Sequence, residues 1–251
     1  VARKSRKFAY YFGKTRVDGR RTDRDLLGGK GANLAEMTDI QLPVPPGFTI
    51  TTEVCNRYLK GGGKLPTSLM LAAKENIKTL ETELDKGFGD STNPLLVSVR
   101  SGAAVSMPGM MNTILNLGLN DVSVIGIANS TGSQRFAYDL YRRLIDMFGD
   151  VVMGVSHEVF EAAFDNIKKK HRAEHDAEVP TKGIIELCEL YKKLYAQHTG
   201  EEFPQDPIVQ LELAIEAVFD SWNTPRAVKY REVEGIHGLL GTAVNIQAMV
   251  Y

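Results

Sequence analysis

The sequence predicts an α+β fold with an all-helical insert, and three changes of texture along the chain predict it. Residues 1–119 mix short β-type runs with helical stretches and Gly- and Pro-rich turns. Residues 120–202 carry helical periodicity alone. Residues 203–251 return to the mixed pattern.

In order, Phe8–Phe12 reads as a strand, and Phe48–Thr51 as another after the rigid turn Pro45-Pro46-Gly47. Leu95–Val99 is a short apolar run of the kind buried in a sheet, and Thr113–Leu119 alternates as a further strand. Helices are expected at about 31–38, 52–60 and 67–87. Phe136, Leu140, Tyr141, Leu144, Ile145 and Phe148 recur at helical spacing, with Arg142, Arg143 and Asp146 between them, which is an amphipathic helix. Residues 157–171 and 181–198 repeat the pattern, so the insert holds three or four helices. Asp206-Pro207 is an N-cap followed by proline at the first helical position, and Trp222 is expected to anchor that helix. Thr242–Tyr251 reads as a strand. Because the chain stops within this apolar run, a truncated chain is expected.

A formal net charge of -1 argues against bulk binding to nucleic acid or a membrane surface. The start is nevertheless basic, through Arg3, Lys4, Arg6, Lys7, Lys14, Arg16, Arg20, Arg21, Arg24 and Lys30. These cations form either a solvated end or, in part, a surface that faces phosphate. Cys55 and Cys188 make no disulfide framework or metal motif; a reducing compartment and two buried small side chains are expected. No apolar stretch reaches the roughly 18 residues of a membrane helix, and no signal peptide is visible. His171 and His175 stand four apart, but among Lys168, Lys169, Lys170 and Arg172 they read as a solvated face.

Three loops carry candidate chemistry. In Leu26-Leu27-Gly28-Gly29-Lys30-Gly31-Ala32-Asn33, glycines permit close approach of backbone to ligand, and a lysine before a helix suits phosphate. It is neither a Walker A loop nor GxGxxG, and a glycine-rich helix entry with an exposed lysine is the plain alternative. In Val97-Ser98-Val99-Arg100-Ser101-Gly102 a guanidinium sits on a strand, where its fork can grip two phosphate oxygens or bond loop carbonyls. In Ala103–Thr113 small residues and glycines form a loop whose amides can cradle phosphate. Its methionines either cover a flat ring or fill the core.

Together, the runs Leu26–Met37, Val44–Glu53, Leu96–Gly102 and Ser106-Met-Pro-Gly-Met-Met111 resemble the pyruvate phosphate dikinase family. So do Asn116–Asp121, Arg135-Phe-Ala-Tyr138, Tyr141-Arg-Arg143 and Gly241–Gln247, from about Phe8 to the end. The resemblance implies an ATP-grasp-type nucleotide-binding domain. Its first subdomain would occupy 1–119, the helical insert 120–202, and the start of a second, truncated subdomain 203–251. The family interconverts ATP, phosphate and pyruvate with AMP, diphosphate and phosphoenolpyruvate through a phosphohistidine, using Mg2+. Carried over, Lys30 contacts ATP phosphates and Arg100 grips the phosphate chain. Gly109 and Thr113 belong to the glycine-rich lid, and Gln247 and Met249 to the strand entering the adenine hinge. Many members have arginine at Ala104 and aspartate at Asn112, so a charge near the lid is missing here. The metal ligands, the phosphohistidine and the pyruvate barrel are expected elsewhere in the polypeptide, so the chain alone is not expected to turn over. The implied full-length protein is a homodimer, cytoplasmic or in an organelle such as a plastid or glycosome. A water-using phosphoenolpyruvate synthase and a non-catalytic nucleotide-binding module are the alternatives.

Overall fold

The computed structural model of the chain describes residues 7–250. Arg3, Lys4, Arg6 and Tyr251 of the sequence reading lie outside the described residues. In chain order the strands are β1 (Ala9–Phe12), β2 (Gly47–Ile50), β3 (Gly87–Phe88), β4 (Pro94–Leu95), β5 (Val97–Gly102), β6 (Thr113–Leu117) and β7 (Ala243–Ala248). The α-helices are α1 (Arg24–Asp39), α2 (Thr52–Lys60), α3 (Thr67–Leu84), α4 (Ser123–Thr131), α5 (Gln134–Val151), α6 (His157–His171), α7 (Thr181–Thr199), α8 (Pro207–Asp220) and α9 (Pro225–Val233). The chain is thus a mixture of helix and antiparallel sheet, divided into two compact units.

The first unit comprises the residues up to Asp85, Val97–Thr113 and the residues from Ile215 on. Its sheet runs β1-β2-β7-β5, every neighbour antiparallel. Strand β7, from the stretch 203–251, lies between β2 and β5, in the sheet the first hundred residues begin.

Pleating sends alternate side chains to opposite faces. One face of this sheet carries Phe48, Ile50, Val97, Val99, Val244 and Ile246, all fully buried. Helix α3 is tied to that side by Tyr11, whose hydroxyl donates to Glu83 at 3.1 Å. The other face carries Thr49, Ser98, Asn245 and Gln247, which are polar and also buried. A buried polar face is costly unless its groups find partners. Helix α1 covers it, since a Cβ on Gly31 would meet both Thr49 and Asn245.

Helix α1 begins earlier than the glycine run suggests. Asp23 accepts at its start from the amides of Leu26 and Leu27, and Gly28 breaks the helical geometry at φ 69°, ψ 169°. The helix expected over 31–38 is therefore its second half. Helix α2 has the expected bounds; its first-turn Glu53 and last-turn Arg57 and Lys60 complement the helix dipole. The expected strand 95–99 is two strands, β4 and β5.

The second unit comprises Lys86–Leu96 and Ile114–Ala214. It holds the parallel pair β3–β4 and the helices α4 to α7. Its core is aromatic: Phe203 stands edge-on to Tyr141, Phe148 and Tyr195, and Phe160 packs edge-on to Tyr191. Ser133 caps α5 by accepting from the amide of Phe136. Gln210 is fully buried and bonds the backbone at Gly118, Leu119 and Pro204.

Cys55 and Cys188 are buried free thiols, each pushed up to about 12 chiefly by burial. His171 ends α6, with its Nε2 3.7 Å from a carboxylate oxygen of Glu186. No helix among the described residues is long and apolar enough to cross a membrane.

Candidate functional site

The site grows from one close approach of backbone to backbone. Gly28 sits against the end of β5, and a Cβ there would lie 1.6 Å from the carbonyl oxygen of Gly102. Next to it, the amide of Gly29 donates to the carbonyl of Ala103 at 3.0 Å. The first glycine of the run therefore lets α1 dock on β5, whereas Gly29 faces an open cleft. The lysine that follows is thereby fixed beside the strand end.

The cleft has a volume of about 480 Å³, within the range of roughly 300–1,000 Å³ usual for small-molecule pockets. Arg24, Gly29, Lys30 and Asn33 form its α1 wall. The loop from Ser101 to Gly109, with Met111 and Thr113, forms the other. Of the basic residues near the start, Lys7 and Arg16 pair with Asp18, and Arg21 pairs with Glu36. Arg24 and Lys30 are the ones that reach the cleft.

Lys30 Nζ donates to the carbonyl of Ser101 at 3.1 Å. Burial of its amine, reinforced by the charge of Arg100, holds its pKa below the usual lysine range. Arg100 is half-buried, and burial likewise lowers its pKa. One of its terminal nitrogens donates to the side-chain oxygen of Gln247, and its Nε is buried without a partner. Gln247 in turn donates to the carbonyl of Pro45 at 2.9 Å. Among the described residues, neither Lys30 nor Arg100 has a carboxylate partner. Two neighbouring cations, one of them half-buried, give this part of the cleft a positive potential that favours an anion.

The loop over the cleft is docked on a small apolar cluster. Met107 is buried with Trp222 and Ala227, and Met110 and Met111 pack against them. The guanidinium of Arg231 stacks 4.0 Å from the Trp222 ring centroid and donates to the Trp222 carbonyl. Trp222, in a short turn after α8, thus holds the loop rather than only its helix. Met107 and Met111 fill this cluster, as the core-filling reading has it, and they also line the cleft. Gly109 has φ 72° and open space around it. Asn112 does not face the cleft: its side-chain oxygen accepts from Arg226 at 2.9 Å, and its amide donates to Ser221.

Of the residues singled out in the sequence, Lys30, Gly109 and Thr113 line the cleft. Arg100 and Gln247 stand behind it, on the polar sheet face and bonded to each other. Met249 lies past the end of β7, half-buried. The sequence reading assigned no role to Thr49 and Asn245, which share that face: Thr49 Oγ1 donates to Asn245 Oδ1 at 2.9 Å. No group of three or more His, Cys, Asp or Glu that could hold a metal occurs among the described residues.

The family model for the pyruvate phosphate dikinase AMP/ATP-binding domain matches residues 24–69 and 63–251. This chain belongs to that family. It is 53% identical to pyruvate, phosphate dikinase 1, chloroplastic, of Arabidopsis thaliana, over 98% of this chain and 26% of the relative. It is 51% identical to the chloroplastic pyruvate, phosphate dikinase of Flaveria pringlei, with the same coverage. It is 50% identical to pyruvate, phosphate dikinase 2 of Zea mays, over 96% of this chain and 27% of the relative. The chain thus spans about a quarter of the length of these dikinases. All three loops of the dikinase resemblance fall within the matched residues.

Proposed function

We propose that this chain holds ATP for a dikinase that interconverts ATP, phosphate and pyruvate with AMP, diphosphate and phosphoenolpyruvate through a phosphohistidine. The observation that carries this reading is the pair Lys30 and Arg100, an exposed and a half-buried cation without a carboxylate partner among the described residues, the first of them lining the cleft. A triphosphate supplies the missing charge. Lys30 acts as a point charge on the phosphates, and Arg100 as a fork on the chain. The loop carrying Gly109 and Thr113 closes over them with its backbone amides. Gln247 fixes Arg100, and the strand end at Met249 leads to the adenine. These roles are positioning and charge neutralisation, which is most of what phosphoryl transfer asks of a protein.

In this reading the first unit is an ATP-grasp-type framework with a helical insert at 120–202, and β7 is part of the framework that begins at the amino end. Magnesium binds in the full-length protein through carboxylates outside the described residues, which hold no candidate cluster. The phosphohistidine and pyruvate sites belong to other parts of a homodimeric polypeptide. Its compartment is a plastid, as the names of the Arabidopsis and Flaveria relatives state for those proteins, or the cytoplasm.

The test is formation of phosphoenolpyruvate by the full-length protein from pyruvate and ATP. The expected result is product only when inorganic phosphate is present. Product without phosphate points to a water-using synthase, and no product under either condition overturns the dikinase reading.

A further inference from the structure

One row of side chains crosses the polar sheet face. Thr49 on β2 stands opposite Asn245 on β7, which stands opposite Arg100 on β5. Directly paired residues of antiparallel strands project to the same side, so the three lie under α1 together. Thr49 engages one end of the Asn245 amide. The other end, Nδ2, has no partner, and Asn245 is 0% exposed. Arg100 Nε, across the strand pair, is the second buried donor without an acceptor. Orphaned buried donors are rare and costly.

The position of Nδ2 ties it to the cleft. It fills the space above Gly102, 2.4 Å from where a Cβ on that residue would be. The Cβ of Lys30 lies 3.6 Å from the same point. Gly102 and Lys30 both line the cleft, so the Asn245 amide stands directly behind that lining, on the same sheet face as Arg100. Glycine at 102 leaves the amide its room.

We infer that Asn245 is a further phosphate-binding residue, its Nδ2 and Arg100 Nε donating to one oxygen of the phosphate chain that Lys30 also holds. The inference rests on the proposal that this cleft binds ATP. On binding, Lys30 leaves the Ser101 carbonyl for the phosphate, and the oxygen enters the space beside Gly102. In this arrangement Thr49 donates to Oδ1, and Nδ2 is the end turned toward the ligand.

The test is Asn245→Asp in the full-length protein, with ATP and adenosine binding read by calorimetry. The carboxylate keeps the amide's shape and the Thr49 bond, pairs with Arg100, and repels phosphate. The expected result is ATP affinity lowered by about tenfold or more, consistent with loss of a charge-assisted hydrogen bond. Adenosine affinity and thermal stability are held or raised. Asn245→Leu, which removes the donor without adding charge, is expected to weaken ATP about tenfold and leave adenosine unchanged. Equal ATP affinity in wild type and both variants overturns the inference, and means that a buried water serves the two donors. ATP and adenosine weakened in parallel, with lowered stability, also overturns it in favour of a purely structural asparagine. Wild-type protein that binds no ATP overturns the ATP reading itself, and this inference with it.

Discussion

Replacing Gly28 by alanine is expected to be the most damaging small substitution in the chain. Its φ of 69° and ψ of 169° lie in a region that essentially only glycine occupies. The added methyl would also stand 1.6 Å from the Gly102 carbonyl oxygen. Strain of this kind costs about 1–3 kcal/mol, and the overlap forces α1 off β5 in addition. The Gly29–Ala103 backbone bond and the Lys30–Ser101 bond should both be lost. Hydrogen exchange on the full-length protein should show the amides of α1 and β5 opening, with ATP binding impaired. Gly109→Ala is the control. Its φ is also positive, at 72°, but nothing lies within 4 Å of the new methyl. That variant should keep α1 and β5 protected. Equal protection in wild type and Gly28→Ala would mean that the close approach does not hold the site.

Removing Lys30 or Arg100 is expected to slow the ATP half-reaction of the full-length protein by about 10²–10³-fold, the scale seen when one preorganised donor is lost from a developing charge. Exchange between pyruvate and phosphoenolpyruvate should stay near wild type, because neither side chain reaches that step in the proposed arrangement. The double variant should lose more than the product of the single effects, because each single loss is softened. The two cations repel, since Arg100 helps to lower the pKa of Lys30, so removing one relieves the other. Rapid-quench measurement of ATP cleavage, set against isotope exchange into pyruvate, separates the outcomes. Loss of both activities would contradict the assigned roles.

Much of this was legible in the sequence, and the misses have physical causes. Helix α2 carries its bounds in its charges and in the turns around it. Helix α4 did not announce itself. Its sequence SVIGIANST holds β-branched residues and a glycine, all weak helix formers. It starts because Asn120 accepts from the amides of Val122 and Ser123. Helix α9 carries a readable signal in Thr224-Pro225, a cap followed by proline. Lys30 and Arg100 were found because their motifs are charged and flanked by glycine.

Asn245 was missed for a different reason. In the sequence Thr242–Tyr251 reads as one apolar strand, which assigns no separate role to the polar Asn245 within it. Only the structure puts α1 over its face of the sheet and leaves the amide buried. The partner of Asn112 was equally hidden, because Arg226 lies 114 residues further on. The missing charge at Asn112 therefore bears on the docking of the loop and not on the cleft. The Met107–Trp222 packing is likewise a contact between distant segments that no local pattern encodes.

The central claim is that Lys30 and Arg100 hold the phosphates of ATP in the cleft between α1 and the loop after β5. A crystal structure of the full-length protein with a non-hydrolysable ATP analogue and magnesium tests it most directly. The account predicts phosphate oxygens within hydrogen-bonding distance of Lys30 Nζ and the Arg100 guanidinium, with Lys30 no longer bonded to the Ser101 carbonyl. A triphosphate seated elsewhere, with Lys30 still on that carbonyl, would contradict it.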